Sequence, residues 1–160
     1  MSGENVGESV RAAMGRKVVD RSTAEELGSV AHVVVDASRR ALRGIVIGRG
    51  KRAMIVDWAD LNFGPDAVMV AGPESVREPS DDQERAAAGG AHDLIGRRAL
   101  SRLGNQLGAI DDVIFGAEGG ELREIVVGGH PLPAASLLGL GSYACVLADD
   151  FDPRHRGPSR

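Results

Sequence analysis

The sequence predicts a mainly β protein, built as two small β-barrels in tandem that pack on each other as a pseudo-dimer. Three features predict this fold: an internal repeat, short runs of β-branched residues between turn residues, and an unusual amount of glycine. Glycine accounts for 22 of the 160 residues, which is about twice its usual share. Units of short strands close well as small barrels, because closure removes exposed strand edges.

The repeat relates residues 27–48 to residues 107–128 without a gap, and nine of these 22 positions carry identical residues. Chance would give one or two identities, since common amino acids each occur at about 7–10%. We therefore expect a duplicated domain. One copy spans residues 12–72, and the other spans residues 92–149.

The segment between the copies, residues 73–91, reads as a linker because it contains two prolines, several acidic residues and a Gly-Gly pair. Within it, residues 81–88 predict a short helix with Ser80 as the N-cap and acidic residues in the first turn. Residues 150–160 have no apolar anchor, and we expect them to form a flexible tail.

Within each copy, runs of four to seven apolar and β-branched residues alternate with turn residues, which is typical of strands. Gly28 and Gly108 stand just before strands at equivalent places, where we expect a positive backbone torsion or a tight turn. The predicted strands lie near residues 17–20, 30–36, 42–48, 53–57 and 67–70 in the first copy and near residues 98–101, 110–115, 122–127 and 144–147 in the second.

Composition and charge argue against several classes of protein. The apolar runs are far shorter than the roughly 20 residues of a membrane-spanning helix, and the start of the chain does not resemble an export signal. The net charge is −4, whereas a duplex-binding protein normally has a basic domain. We therefore expect a cytoplasmic protein without a membrane span.

The reactive side chains do not form a recognisable catalytic or metal-binding pattern. The four histidines lack the short spacing to a second ligand that zinc sites show, and Cys145 is expected to be a buried apolar thiol. Asp111 and Asp112 point to opposite faces if they lie in one strand. The acidic runs at residues 57–60 and 149–152 are interpreted as surface charge. We expect no enzyme activity, no cofactor and no bound metal.

Three short motifs occur in the same order in both copies. In the first copy they are Gly15-Arg16-Lys17-Val18, Leu27-Gly28-Ser29-Val30-Ala31-His32-Val33 and Gly64-Pro65-Asp66-Ala67-Val68-Met69-Val70. In the second copy they are Gly96-Arg97-Arg98-Ala99, Leu107-Gly108-Ala109-Ile110-Asp111-Asp112-Val113 and Gly141-Ser142-Tyr143-Ala144-Cys145-Val146. This order resembles the PRC-barrel family, named for the cytoplasmic barrel of the photosynthetic reaction-centre H subunit.

The resemblance implies a protein that docks on other macromolecules and is not a catalyst. The family also includes the C-terminal domain of the ribosome maturation factor RimM and stand-alone bacterial and archaeal proteins. This sequence shows neither the membrane helix of the H subunit nor the different first barrel of the maturation factor, so neither specific role carries over. Because a lone barrel of about 60 residues buries limited surface, we expect an intramolecular pseudo-dimer or a homodimer.

Two segments of the first copy are candidate interaction sites. Trp58 and Phe63 are either core residues or anchors for a partner, since tryptophan is enriched at interfaces. Residues 39–52 contain six cations and no acidic residue. Five of them form two groups, residues 39–40 and residues 49–52, at opposite ends of the predicted strand 42–48 and roughly 20 Å apart. The six cations are Arg39, Arg40, Arg43, Arg49, Lys51 and Arg52.

The leading functional hypothesis is an adaptor or scaffold that binds an unidentified protein partner. The alternative is a ribosome- or RNA-associated factor that makes contact through the cations of residues 39–52.

Overall fold

The computed structural model describes residues 7–148, which form fourteen strands and two short helices. The mainly β prediction is confirmed. The predicted tail at residues 150–160 and the acidic run at residues 149–152 lie outside the described residues. No helix within residues 7–148 is long and apolar enough to span a membrane.

The strands form two sheets, one for each sequence repeat. The strands of the first sheet are β2 (Lys17–Asp20), β3 (Glu26–Asp36), β4 (Ala41–Ile47), β5 (Met54–Asp57), β6 (Leu61–Phe63), β7 (Ala67–Val70) and β8 (Val76–Arg77). Their order across the sheet is β6-β7-β2-β3-β4-β5-β8.

The second sheet repeats this arrangement and gains a strand from the start of the chain. Its strands are β1 (Gly7–Ser9), β9 (Arg98–Ser101), β10 (Gln106–Gly116), β11 (Leu122–Val127), β12 (His130–Pro133), β13 (Leu137–Leu140) and β14 (Cys145–Leu147). Their order is β12-β11-β10-β9-β14-β13, and β1 pairs with β10. The helices are α1 (Val10–Ala13) and α2 (Asp82–Ala88).

The long strands β3 and β10 have the same irregularities at equivalent places. Each has eleven residues, with a bulge between Val30 and His32 in β3 and between Ile110 and Asp112 in β10. A bulge bends a strand and increases its twist. Each long strand pairs with one neighbour through its first residues and with the other through the rest: β3 pairs with β2 and then β4, and β10 pairs with β9 and then β11.

Gly28 and Gly108 have positive φ angles of 145° and 134°, as predicted. Both lie inside their strands and not before them, at the start of β3 and β10. A Cβ atom on Gly28 would lie 2.4 Å from Cγ2 of Ile47. Backbone torsion and space therefore both require glycine at position 28.

Neither sheet closes into a barrel through hydrogen bonds among the described residues. The first sheet ends at β6 and β8, and the second ends at β12 and β13. A 3-10 turn at Trp58–Asp60 separates β5 from β6, and another at Ala134–Ser136 separates β12 from β13. The strands on either side of each turn do not pair with each other. The prediction of closed barrels is therefore replaced by two open sheets.

The main hydrophobic core belongs to both repeats. A single cluster contains buried residues of the first sheet, such as Val18 and Ile45, together with Val113 and Ile125 of the second. A smaller cluster on the other face of the first sheet holds α2 through Ala87. The two repeats therefore do not have separate interiors.

Helix α2 lies where the sequence predicts a helix, but its N-cap differs from the prediction. The side chain of Asp81 accepts a hydrogen bond from the backbone N–H of Glu84 at 2.7 Å, which makes Asp81 the cap. Ser80, the predicted cap, instead donates its hydroxyl to the Glu84 carboxylate. This part of the linker segment is thereby tied to the folded body.

Candidate interaction surfaces

Two backbone hydrogen bonds join the repeats in a reciprocal manner. The N–H of Leu42 donates to the carbonyl of Gly120, and the N–H of Leu122 donates to the carbonyl of Arg40, both at 2.8 Å. Leu42 corresponds to Leu122 in the repeat, and Arg40 corresponds to Gly120. Each copy therefore makes with the other the same contact that it receives.

The chain at the start of each copy crosses to the long strand of the other copy. Strand β1 pairs with β10, and Arg11 in α1 donates its backbone N–H to the Asp112 carboxylate at 3.0 Å. In the opposite direction, Nδ1 of His92 accepts the backbone N–H of Val35 in β3 at 3.0 Å. The copies are thus connected through exchanged segments as well as through the shared core.

His92 has to be neutral at Nδ1 in order to accept this hydrogen bond. Burial lowers the pKa of His92, and the nearby Arg43 lowers it further. A depressed histidine pKa stabilises the fold fully above about pH 6.5, the value of the unfolded chain, and this contribution is lost as the pH falls.

Lowering the pH from 7.5 to 5.5 is therefore expected to reduce the melting temperature of the wild type more than that of the His92→Asn variant. Asparagine keeps an acceptor near the position of Nδ1 and does not titrate. Thermal unfolding followed by circular dichroism measures both shifts. Equal shifts in the two proteins would contradict this role of His92.

Trp58 and Phe63 lie in an aromatic cluster inside the protein. The Trp58 ring stacks on Phe63 at 5.5 Å between centroids and meets the edge of Phe115 from the second copy at 5.7 Å. Its indole N–H donates to the carbonyl of Glu118 at 3.0 Å. With exposed fractions of 9% and 7%, Trp58 and Phe63 join the two copies, and an external partner could contact them only after they became exposed.

We call residues 39–52 the basic window. Some of its six cations bind groups of the protein itself, and the others do not. Arg39 lies 3.8 Å from the Asp36 carboxylate, and Arg40 donates its Nε to the carbonyl of Leu137 at 3.0 Å. Arg43 donates to Glu84 at 3.0 Å and Asp81 at 3.3 Å.

The remaining cations, Arg49, Lys51 and Arg52, lie on the connection between β4 and β5, around a 3-10 turn at Gly50–Arg52. All three are exposed, and none has an ion pair or side-chain hydrogen bond within residues 7–148. Only this end of the predicted window therefore presents uncompensated positive charge. We call these three residues the basic turn.

A groove of about 800 Å³ opens beside the basic turn. Arg49 and Arg52 belong to its lining, whereas Lys51 faces a separate hollow that also contains Glu78. The apolar side chains larger than alanine along the groove are Met14, Leu27, Val30, Ile47, Met54 and Val76.

Glu84 is a buried carboxylate that the sequence analysis did not single out. Its side chain is 3% exposed and receives hydrogen bonds from both terminal nitrogens of Arg77, at 2.7 and 2.8 Å. Arg43 and the backbone N–H of Ser80 add two more. The Arg77 guanidinium is the main cause that lowers the pKa of Glu84 to about 2.

Four further residues of the sequence motifs are buried or bonded to other groups of the protein: His32, Cys145, Asp111 and Asp112. The side chain of His32 is only 12% exposed, and its Nδ1 lies 2.9 Å from the Asp93 carboxylate. Cys145 is buried as predicted, and burial raises its pKa to about 11. Asp111 accepts the N–H of Gly129, so it has a different partner from Asp112. Within residues 7–148, no three potential metal ligands lie close enough together to hold a metal.

Comparison with known families agrees with this arrangement. The family model of the PRC-barrel domain matches residues 10–77 and 89–139. The chain belongs to the PRC-barrel family. The two matched segments correspond to the two repeats, which confirms two tandem copies. No curated protein matches the chain.

The two PRC-barrel copies differ clearly at the basic turn. The first copy connects β4 to β5 through residues 48–53, whereas the second connects β11 to β12 through Gly128 and Gly129 alone. This difference in length follows directly after the aligned repeat, and it is the sequence signal that could have indicated the groove. The signal for Glu84 is weaker, because a glutamate in an acidic linker looks like surface charge.

Proposed function

We propose that this protein is a non-catalytic cytoplasmic adaptor that binds a protein partner through the first PRC-barrel copy. The basic turn carries this proposal, because Arg49, Lys51 and Arg52 are exposed cations without an acidic partner in residues 7–148. The protein as a whole has a net charge of −4. A local positive site on a negative protein favours one orientation of an approaching partner.

The two copies are proposed to pack as a pseudo-dimer, which gives the adaptor one rigid body. The reciprocal hydrogen bonds of Leu42 and Leu122 support this packing, since a two-fold interface repeats each contact in both directions. The exchanged segments and the shared core support it further. A homodimer is not needed to bury these surfaces.

The ribosome- or RNA-associated alternative relies on the same three cations. Phosphate contacts by arginine and lysine dominate the affinity of nucleic-acid binding. However, Arg39, Arg40 and Arg43 are engaged with groups of the protein itself. The positive surface left for RNA is therefore one short turn and not a strip, which favours the protein partner.

Affinity purification after crosslinking tests the adaptor function. Wild type is expected to retain a stoichiometric protein partner, and the triple variant Arg49→Glu, Lys51→Glu, Arg52→Glu is expected to lose most of it. The variant should keep its fold, because these side chains make no ion pair or hydrogen bond within residues 7–148, and circular dichroism checks this. Retention of no reproducible partner by wild type would contradict the proposal. Ribosome sedimentation that depends on the three cations would favour the RNA alternative.

A further inference from the structure

The groove beside the basic turn combines apolar and positively charged groups in one concave surface. Met14, Leu27, Met54 and Val76 contribute apolar surface to its lining. The volume of about 800 Å³ lies within the range of ligand-binding clefts. A ligand that fits this groove must bury apolar surface and offer negative charge near the two arginines.

The second PRC-barrel copy provides an internal comparison. Its equivalent groove is lined by Ile95, Gly96 and Gly108, which correspond to Met14, Gly15 and Gly28, and has a volume of about 470 Å³. There Arg98 lies over the Tyr143 ring at 4.6 Å and donates to its hydroxyl at 2.6 Å. The second groove also contains Arg97, which donates to the carbonyls of Asp93, Gly90 and Ala91. Both arginines of the second groove are thus engaged within the protein, whereas Arg49 and Arg52 of the first are not.

We propose that the first-copy groove binds a peptide segment of the partner protein in which aspartate or glutamate residues stand beside large apolar residues. This inference rests on the proposed adaptor function and names the chemistry of the partner. The apolar side chains would bury against Met54 and its neighbours. The carboxylates would pair with Arg49 and Arg52, whose planar guanidinium groups bind carboxylates in bidentate geometry.

The protein's own C-terminal segment is a poorer occupant than a partner segment. Residues 149–152 offer three aspartates and one phenylalanine, but Arg154, Arg156 and Arg160 follow them. Residues 149–160 therefore carry no net charge, and Arg154 would stand two residues from the last aspartate. Cations so close to the carboxylates would repel Arg49 and Arg52.

Selection from a phage-displayed library of random 12-residue peptides on the immobilised full chain tests the inference. The selected peptides are expected to be enriched in Asp and Glu next to Leu, Ile, Phe or Trp. Fluorescence polarisation then measures the affinity of fluorescein-labelled selected peptides. The variant Arg49→Glu, Arg52→Glu is expected to weaken binding at least tenfold, and Met54→Gln at least threefold.

The matched control, Arg21→Glu with Arg39→Glu, reverses the charge of two exposed arginines that do not line the groove. It is expected to change the peptide affinity less than twofold. Both double variants carry the same net charge, so a difference between them reports position. Arg98→Glu, in the second-copy groove, is a second control with the same expectation. Thermal unfolding confirms that all variants are folded.

Several results would overturn the inference. The first is a set of selected peptides without enrichment in Asp and Glu, or no enrichment of any peptide. The second is an equal loss of peptide affinity in the groove variants and the control variants. Tighter binding of a labelled 20-nucleotide RNA through Arg49 and Arg52 would identify a nucleic acid instead. Self-association that depends on residues 149–152 would identify a second copy. If the purified partner still binds the groove variant, the adaptor function stands and the groove is not its site.

Discussion

Replacing Trp58 with alanine is expected to lower the free energy of unfolding by about 3–5 kcal/mol, the usual range for a buried aromatic residue. The change removes a stacked contact with Phe63 and an edge contact with Phe115 across the two copies. It also leaves the carbonyl of Glu118 without its indole donor. The melting temperature is expected to fall by roughly 10 °C. Urea unfolding followed by circular dichroism measures the loss, since the fluorescent residue itself is removed.

Two further variants serve as controls for the Trp58→Ala result. Leu103→Ala truncates a side chain that is 77% exposed and is expected to change stability by less than about 0.5 kcal/mol. Trp58→Phe keeps an aromatic ring but loses the indole N–H. Its free energy of unfolding is expected to lie between those of Trp58→Ala and wild type. A loss below about 1 kcal/mol in Trp58→Ala would show that the cluster does not hold the copies together, and would restore Trp58 as a docking candidate.

The repeat made the central strands predictable, because hydrophobic pattern and repeat register agree there. The predicted strand near residues 122–127 is observed as β11, and that near residues 98–101 as β9. The missed strands are short edge strands such as Leu61–Phe63 and His130–Pro133. Such strands have too few residues to show an alternating hydrophobic pattern. The two prolines in His130–Pro133 also argue against a strand in a sequence-based prediction.

The joining of the two copies could not be predicted from local pattern. Val10, just before the first copy, is buried, but its helix packs near β10 of the second copy. A hydrophobic residue in the sequence indicates burial without indicating which copy covers it. The same ambiguity made Trp58 either a core residue or an anchor, and only its contact with Phe115 settles its place in this structure.

The sequence predicts that residues 39–52 are rich in cations, but it does not predict which of these cations remain unpaired on the surface. Arg43 and Arg49 are equivalent in the sequence argument, yet Arg43 meets Glu84 from α2 whereas Arg49 meets no carboxylate within residues 7–148. The acidic partners of Arg43 lie about 40 residues away in the chain. Charge patterns within one segment cannot show which cations a distant segment neutralises.

Replacing Glu84 with glutamine is expected to lower the free energy of unfolding at pH 7 by about 2–3 kcal/mol. Breaking a fully buried ion pair costs about 3–5 kcal/mol, but Arg77 and Arg43 are 35% and 34% exposed, so solvent screens part of the loss. The substitution keeps the size of the side chain and removes its charge. Urea unfolding of both proteins at pH 7 measures the difference.

The pH dependence separates the charge of Glu84 from its packing. The Arg77 guanidinium lowers the folded-state pKa of Glu84 to about 2 from an ordinary value of 4.5. A depressed carboxylate pKa gives stability that is fully present above pH 4.5 and is lost as the pH falls towards 2. The difference between wild type and Glu84→Gln is therefore expected to be constant from pH 7 to 5 and to shrink below pH 4.5.

The loss of the His92 contribution below about pH 6.5 does not disturb this measurement, because His92 is present in both proteins and its effect cancels in their difference. The control Glu118→Gln changes a carboxylate that is exposed, and it is expected to alter stability by less than about 0.5 kcal/mol at every pH. A difference between wild type and Glu84→Gln that stays the same down to pH 3 would assign the loss to packing. Only a difference that shrinks with protonation fits a buried carboxylate that holds α2, β4 and β8 together through two arginines.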